Sequence, residues 1–250
     1  MRVAAGLLGA ALAACGPSSP AVDAGGGPDA RLVDARADGA TPDGFTPDSL
    51  PPDAPLPDGR GVDAGGCTTA TFVLDGALDA SAPVIAGGVT SVRLAVTVTA
   101  AGVLYVATDD AGEGSDHFVL VSGTAPGAAA LAAPFAKAGT VAAGTGPLLF
   151  LADENDNDFE GWFRRETGTA DTALTGTGYG AATGVNGGVL EGTLDLAVAF
   201  GAVPPMVYLA AVPYATADGG ALVAAAQTPT GDGDGDVEAA EYVAVSTACP

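Results

Sequence analysis

From residue 91 to residue 214 the chain repeats one pattern: a brief run of Val, Leu, Tyr or Phe, then a cluster of Gly, Asp, Asn or Thr. The clearest runs are Ser91 to Ala100, Gly102 to Asp110, Asp116 to Ser122, Pro147 to Asp153 and Pro204 to Tyr214. Apolar residues at period two, or unbroken over four or five positions, with this bias toward branched and aromatic types, predict strands. No segment carries a long 3.6-residue stripe with caps. The alanine-rich stretch Gly127 to Gly139 has room for one or two helical turns. Over residues 67–250 the pattern predicts an all-β fold, an antiparallel, jelly-roll-like β-sandwich of about nine or ten strands.

Ahead of residue 67 the pattern breaks. The chain opens MRVAAGLLGAALAAC, with a basic start at Arg2, an apolar run from Val3 to Ala11, and Leu12-Ala13-Ala14-Cys15. This resembles a bacterial lipobox. The resemblance implies that residues 1–14 are a lipoprotein signal peptide and that Cys15 is lipidated and becomes the membrane anchor. Gly16 after the cysteine, with no Asp there, resembles lipoproteins sorted to the outer membrane. The apolar run is too short to span a bilayer, which needs about 20 residues.

Residues 16–66 read as a disordered linker rich in Pro, Asp, Gly and Ala. Asp38, Asp43, Asp48, Asp53, Asp58 and Asp63 recur every five residues. Such a segment buries too little apolar area to offset its ordering entropy. Charge and proline extend it, to roughly 150 Å at most and about 40 Å as a coil. Cys67 and Cys249 bracket the remainder. In an exported chain two thiols leave one intramolecular pairing, a Cys67–Cys249 disulfide.

The formal net charge is -22, and residues 67–250 hold 21 acidic side chains against Arg93, Lys137, Arg164 and Arg165. Phosphate repels such a surface, so nucleic acid is excluded as a partner. A single histidine, His117, excludes a zinc site built from several histidines. Neither G-x-S-x-G nor H-E-x-x-H occurs. The expectation is a chain that is not an enzyme.

The acids cluster. Thr230 to Tyr242 reads TGDGDGDVEAAEY. Counted from Thr230, Asp232, Asp234, Gly235, Val237 and Glu241 take positions three, five, six, eight and twelve of an EF-hand-like calcium loop. There glycine makes the sharp turn and the last glutamate chelates with both oxygens. Thr230 stands where a carboxylate is usual, Pro229 precedes the loop, and YVAVS after it alternates like a strand rather than a helix. Asp232, Asp234, Asp236 and Glu241 are the candidate calcium ligands. A second candidate set is Asp153, Asp156 and Asp158, after the Pro147 to Asp153 run, and a third acidic stretch runs from Asp109 to Asp116. A solvated acidic turn accounts for the same composition.

Four segments in order, Phe72 to Ala80 (FVLDGALDA), Leu104 to Asp110 (LYVATDD), Asp116 to Ser122 and Val189 to Leu196 (VLEGTLDL), resemble family 9 carbohydrate-binding modules and the wider DOMON-like sandwiches. The resemblance implies a non-catalytic binding domain, in many members a sugar binder stabilised by calcium. Sugar binding needs an exposed flat ring with polar neighbours. Trp162, with Glu160 and Arg164 beside it, is the candidate, although a core position suits a tryptophan equally. Some DOMON-like domains hold haem between a methionine and a histidine, which Met206 and His117 would supply here. The expected partners are the membrane, through the lipid, and either a glycan or an envelope protein; in the second case the sandwich is an assembly component.

Overall fold

The computed structural model describes residues 68–87, 91–109, 114–154, 159–183 and 189–248, and the backbone of 62 and 63. All belong to one compact unit, Ala54–Pro250. Cys15, the signal peptide, the linker up to residue 61, Cys67, Cys249, Asp156 and Asp158 lie outside the described residues.

Fourteen strands are described: β1 Val62–Asp63, β2 Val84–Ala86, β3 Leu94–Val98, β4 Val103–Asp109, β5 Ser115–Ser122, β6 Ala129–Ala132 and β7 Thr140–Ala143. There follow β8 Leu148–Glu154, β9 Phe159–Arg165, β10 Thr172–Leu174, β11 Tyr179–Thr183 and β12 Val189–Asp195, a short helix α1 Leu196–Phe200, then β13 Met206–Ala215 and β14 Val243–Ser246. The strands form a seven-stranded sheet, β1-β14-β13-β5-β8-β9-β10, and a five-stranded sheet, β11-β12-β4-β3-β2. Every pairing among them is antiparallel except β1 with β14. The two sheets pack face to face as the expected sandwich. The count exceeds nine or ten largely because β1, β2 and β10 are marginal pieces of two or three residues.

The inter-sheet core takes alternate residues of each strand: Leu94, Val96 and Val98 of β3, Val119 and Val121 of β5, Leu149 and Leu151 of β8, Leu190 and Leu194 of β12. The intervening residues are buried too. Phe118, Leu120, Phe150 and Phe163 lie on the outer face of the seven-stranded sheet, beneath the β6–β7 hairpin and the side chains of Val237 and Tyr242. Tyr105, Ala95 and Ala107 lie on the outer face of the five-stranded sheet, beneath Phe72, Leu74 and Leu78. Each sheet is therefore covered on both faces. That is why its strands read as apolar runs rather than a strict alternation.

The alanine-rich stretch departs from the expected helical turns. Ala129–Ala132 is strand β6, paired with β7, and only a 3-10 turn follows at Pro134–Ala136. Tertiary pairing overrides alanine's helix propensity. Phe135 takes φ 48° in that turn, and its ring meets Phe118, Phe150 and Phe163 edge-on. Its N–H donates to Asp171 Oδ2 at 2.8 Å. Arg165 forks onto the same carboxylate at 2.5 Å and donates to the carbonyls of Ala132 and Ala133. A buried cation paired and hydrogen-bonded on every side is tolerable in such a core.

Candidate functional site

Thr230 to Glu241 returns across the outer face of the seven-stranded sheet to enter β14. Val237, 1 % exposed, is its hydrophobic anchor. The Val237 N–H donates to the Thr140 carbonyl at 2.8 Å, and the Ala142 N–H donates to the Val237 carbonyl at 2.6 Å. The Thr140 N–H donates to Asp236 Oδ1 at 2.6 Å, and the Tyr242 hydroxyl donates to the Ala142 carbonyl at 2.9 Å. The loop is thus stapled to β7. Gly235 turns at φ 97°, a left-handed conformation at the position where the sequence calls for a sharp turn.

Glu241 organises the interior of the loop. Its Oε1 accepts the Asp232 N–H at 2.8 Å, and its Oε2 accepts the Glu238 N–H at 3.0 Å and Gln227 Nε2 at 3.1 Å. Asp232 Oδ1 accepts the Asp234 N–H at 3.0 Å, and Asp234 Oδ1 accepts the Asp236 N–H at 2.9 Å. Single carboxylate oxygens of Asp232, Glu238 and Glu241 lie within 4.8 Å of one another, and so do those of Asp234, Asp236 and Glu238. Desolvation, then the hydrogen bond and charge of Glu241 and the charge of Asp234, push the Glu238 carboxyl up to about 7. Burial, then the charges of Asp236 and Glu241, also raise the Tyr214 phenol, whose hydroxyl has no hydrogen-bond partner.

The four acids picked from the sequence in this loop fall into two clusters, Asp232 with Glu241 and Asp234 with Asp236, linked through Glu238. Two neighbours were missed. Glu238 stands at position nine, where a ligand is often water-mediated, and Gln227 is neutral and precedes the loop. Among the described residues, the acids of the other two stretches do not join this site. Asp109 is paired with Arg93 at 2.7 Å. Asp116 lies buried against Lys137 at 2.6 Å, whose Nζ also donates to the carbonyls of Ala215, Thr216 and Ala217. Asp153 sits on β8 opposite His117 of β5.

Three of the four segments noted in the sequence, Phe72 to Ala80, Leu104 to Asp110 and Val189 to Leu196, meet at one buried carboxylate, Glu191 of β12, with zero exposure. Glu191 Oε1 accepts the N–H groups of Asp75 and Gly76 at 2.5 and 2.7 Å, and Oε2 accepts the Tyr105 hydroxyl at 2.7 Å. The Tyr105 oxygen in turn accepts the Asp79 N–H at 3.2 Å. Phe72 stacks on Tyr105 with centroids 4.5 Å apart. Every polar atom in this latch has a partner, and it fastens the segment from Phe72 to Asp79 onto the five-stranded sheet.

The proposed sugar platform does not form. Trp162, 2 % exposed, belongs to the inter-sheet core, with its indole N–H donating to the Gly180 carbonyl at 2.9 Å. Trp162 and Phe163 point to opposite faces of β9, as alternation requires, and both faces are covered. Glu160 and Arg164 are exposed, and Arg164 is engaged with Glu166. The haem pairing fails on distance. His117 faces Pro213 across the β5–β13 ladder, and Met206 opens β13 seven residues earlier. At about 3.3 Å per residue the two are roughly 20 Å apart along the sheet, too far to share an iron.

A further concavity of about 490 Å³ lies between the segment following residue 67 and the β3–β4 turn. Thr68, Thr69, Thr71, Thr99, Thr193 and Phe72 line it, with no acid, histidine or cysteine among the described lining residues. Comparison of the chain with protein-family models, with curated proteins and with solved structures finds no match.

Proposed function

We propose that the chain is a lipid-anchored cell-envelope protein, held at the outer membrane through Cys15, whose sandwich is a non-catalytic binding module with carbohydrate as its ligand class. The threonine-lined groove carries this reading. Its volume is in the usual range for small-ligand sites, and it offers hydroxyls beside an aromatic ring, with no group to move protons among the described lining residues. The segment order supports display: a lipobox, then an acidic spacer, then the sandwich. A polysaccharide panel probed with the folded full chain tests it. Binding that falls at least tenfold in Thr71→Val and Thr193→Val is the expected outcome. A folded chain that binds no polysaccharide contradicts the carbohydrate assignment.

We also assign the Cys67–Cys249 disulfide to this protein. Val62 pairs with Val245 and Asp63 with Ser246 in parallel, so the chain leading to each cysteine runs in the same direction on adjacent strands. Free-thiol labelling of the denatured, unreduced chain with Cys15 acylated tests this; two labelled cysteines contradict it.

The burial of Trp162 removes the sugar platform expected from the sequence, which leaves a second reading, in which the sandwich contacts another envelope protein as an assembly component. Mild crosslinking followed by co-purification distinguishes the two, since a stoichiometric protein partner supports assembly.

A further inference from the structure

We infer that the loop from Thr230 to Glu241 is a calcium site, completed from outside the loop by the side-chain oxygen of Gln227. It is independent of what the groove binds.

The acidic loop supplies the ligands in number and spacing. Oxygens around a calcium ion at 2.3–2.6 Å lie up to about 5 Å apart, and within each of the two triads that share Glu238 the oxygens lie within 4.8 Å of one another before any ion draws them together. Both triads consist of carboxylates alone, the donor set of a hard cation. Glu241 remains able to ligate while it holds the two backbone N–H groups, because a carboxylate has about four lone-pair sites.

Gln227 provides the separate sign of a ligand. Its side chain is 1 % exposed, and while Nε2 donates to Glu241 the Oε1 atom has no hydrogen-bond partner among the described residues. A buried acceptor of this kind is rare in a folded protein, because the lost hydration is not replaced. Its position gives it a role. A methyl group placed on Gly231 would lie 2.6 Å from Gln227 Oε1 and 2.5 Å from Glu241 Oε1. The two oxygens therefore converge on the same side of Gly231, an approach that only a residue without a Cβ permits. Thr230 brings no carboxylate at the first loop position, and the neutral oxygen of Gln227 makes up the missing donor. Gln227 is fixed there because the neighbouring Thr228 exchanges backbone hydrogen bonds with Ala211 of β13 at 2.7 and 2.9 Å.

Thermal melting and calorimetric titration of the full chain, in chelator and in calcium, test the assignment. One calcium is expected to bind, with a Kd of about 10⁻⁴–10⁻³ M, as in extracellular modules. At 10 mM calcium the melting temperature is expected to rise by about 3–10 °C. Asp232→Asn, at an exposed position, should abolish most of the rise without unfolding the chain. Gln227→Leu should weaken binding about tenfold, and Gln227→Glu should strengthen it. Absence of any rise overturns the site. A rise unchanged in Asp232→Asn overturns its location, one unchanged in Gln227→Leu overturns the role of Gln227, and an equal rise in magnesium overturns the choice of ion.

Discussion

Two buried glutamates, one on each side of the sandwich, fasten a covering segment to a sheet. Glu191 holds the N–H groups of Asp75 and Gly76 over the five-stranded sheet, and Glu241 holds those of Asp232 and Glu238 over the seven-stranded sheet. The device is the same and the surroundings differ. Around Glu191 every polar atom is matched within the protein, the Tyr105 hydroxyl included. Around Glu241 the carboxylates of Asp232 and Glu238 crowd in, Glu238 also meets Asp234 and Asp236, and an amide oxygen is left over. The first latch is saturated by protein groups alone, whereas the surplus oxygens of the second are the ones the proposed calcium site would use.

The largest effect expected from breaking this comparison is at Glu191. Glu191→Ala leaves two backbone N–H groups and a phenol without an acceptor and should cost about 3 to 5 kcal/mol in denaturant unfolding, since each lost buried partner costs ~1–3 kcal/mol. Calcium should not alter that loss. Next comes the predicted disulfide. Cys67→Ser with Cys249→Ser should cost about 2–4 kcal/mol, again without regard to calcium, because Cys67 directly precedes the segment that covers the five-stranded sheet.

The smallest effect is on the surface. Arg93 lies half-exposed beside Asp109, and its hydrogen bond holds the Asp109 carboxyl below the usual value. A carboxylate lowered on folding contributes stability above its unfolded pKa and loses it as pH falls through the folded value. Arg93→Ala should therefore cost under about 1 kcal/mol at pH 7, and the gap from wild type should close in acid near pH 2. Urea titrations at the two pH values measure it.

Much of this arrangement is legible in the sequence. The strands at Leu94, Val103, Ser115, Leu148 and Met206 stand out because their apolar runs serve two buried faces. The spacing of Asp232, Asp234, Gly235 and Glu241 marks the loop because turn and ligand chemistry are local properties. Covering layers are not local. Nothing near Trp162 in the chain announces that β9 is enclosed on both sides, and nothing in the alanine run before Pro134 announces its partner β7. Glu191 sits in a segment that carries the family resemblance, but its grip on Asp75 spans more than a hundred residues. Gln227 was hidden for a related reason: a neutral side chain before the loop becomes conspicuous only when its oxygen is seen buried without a partner.

Amide hydrogen exchange in chelator and in calcium tests the contrast between the two latches most directly. The account predicts that calcium slows exchange of the Asp232, Asp234, Asp236 and Glu238 amides while those of Asp75 and Gly76 stay as they were. Equal protection of both loops, or of neither, would contradict it.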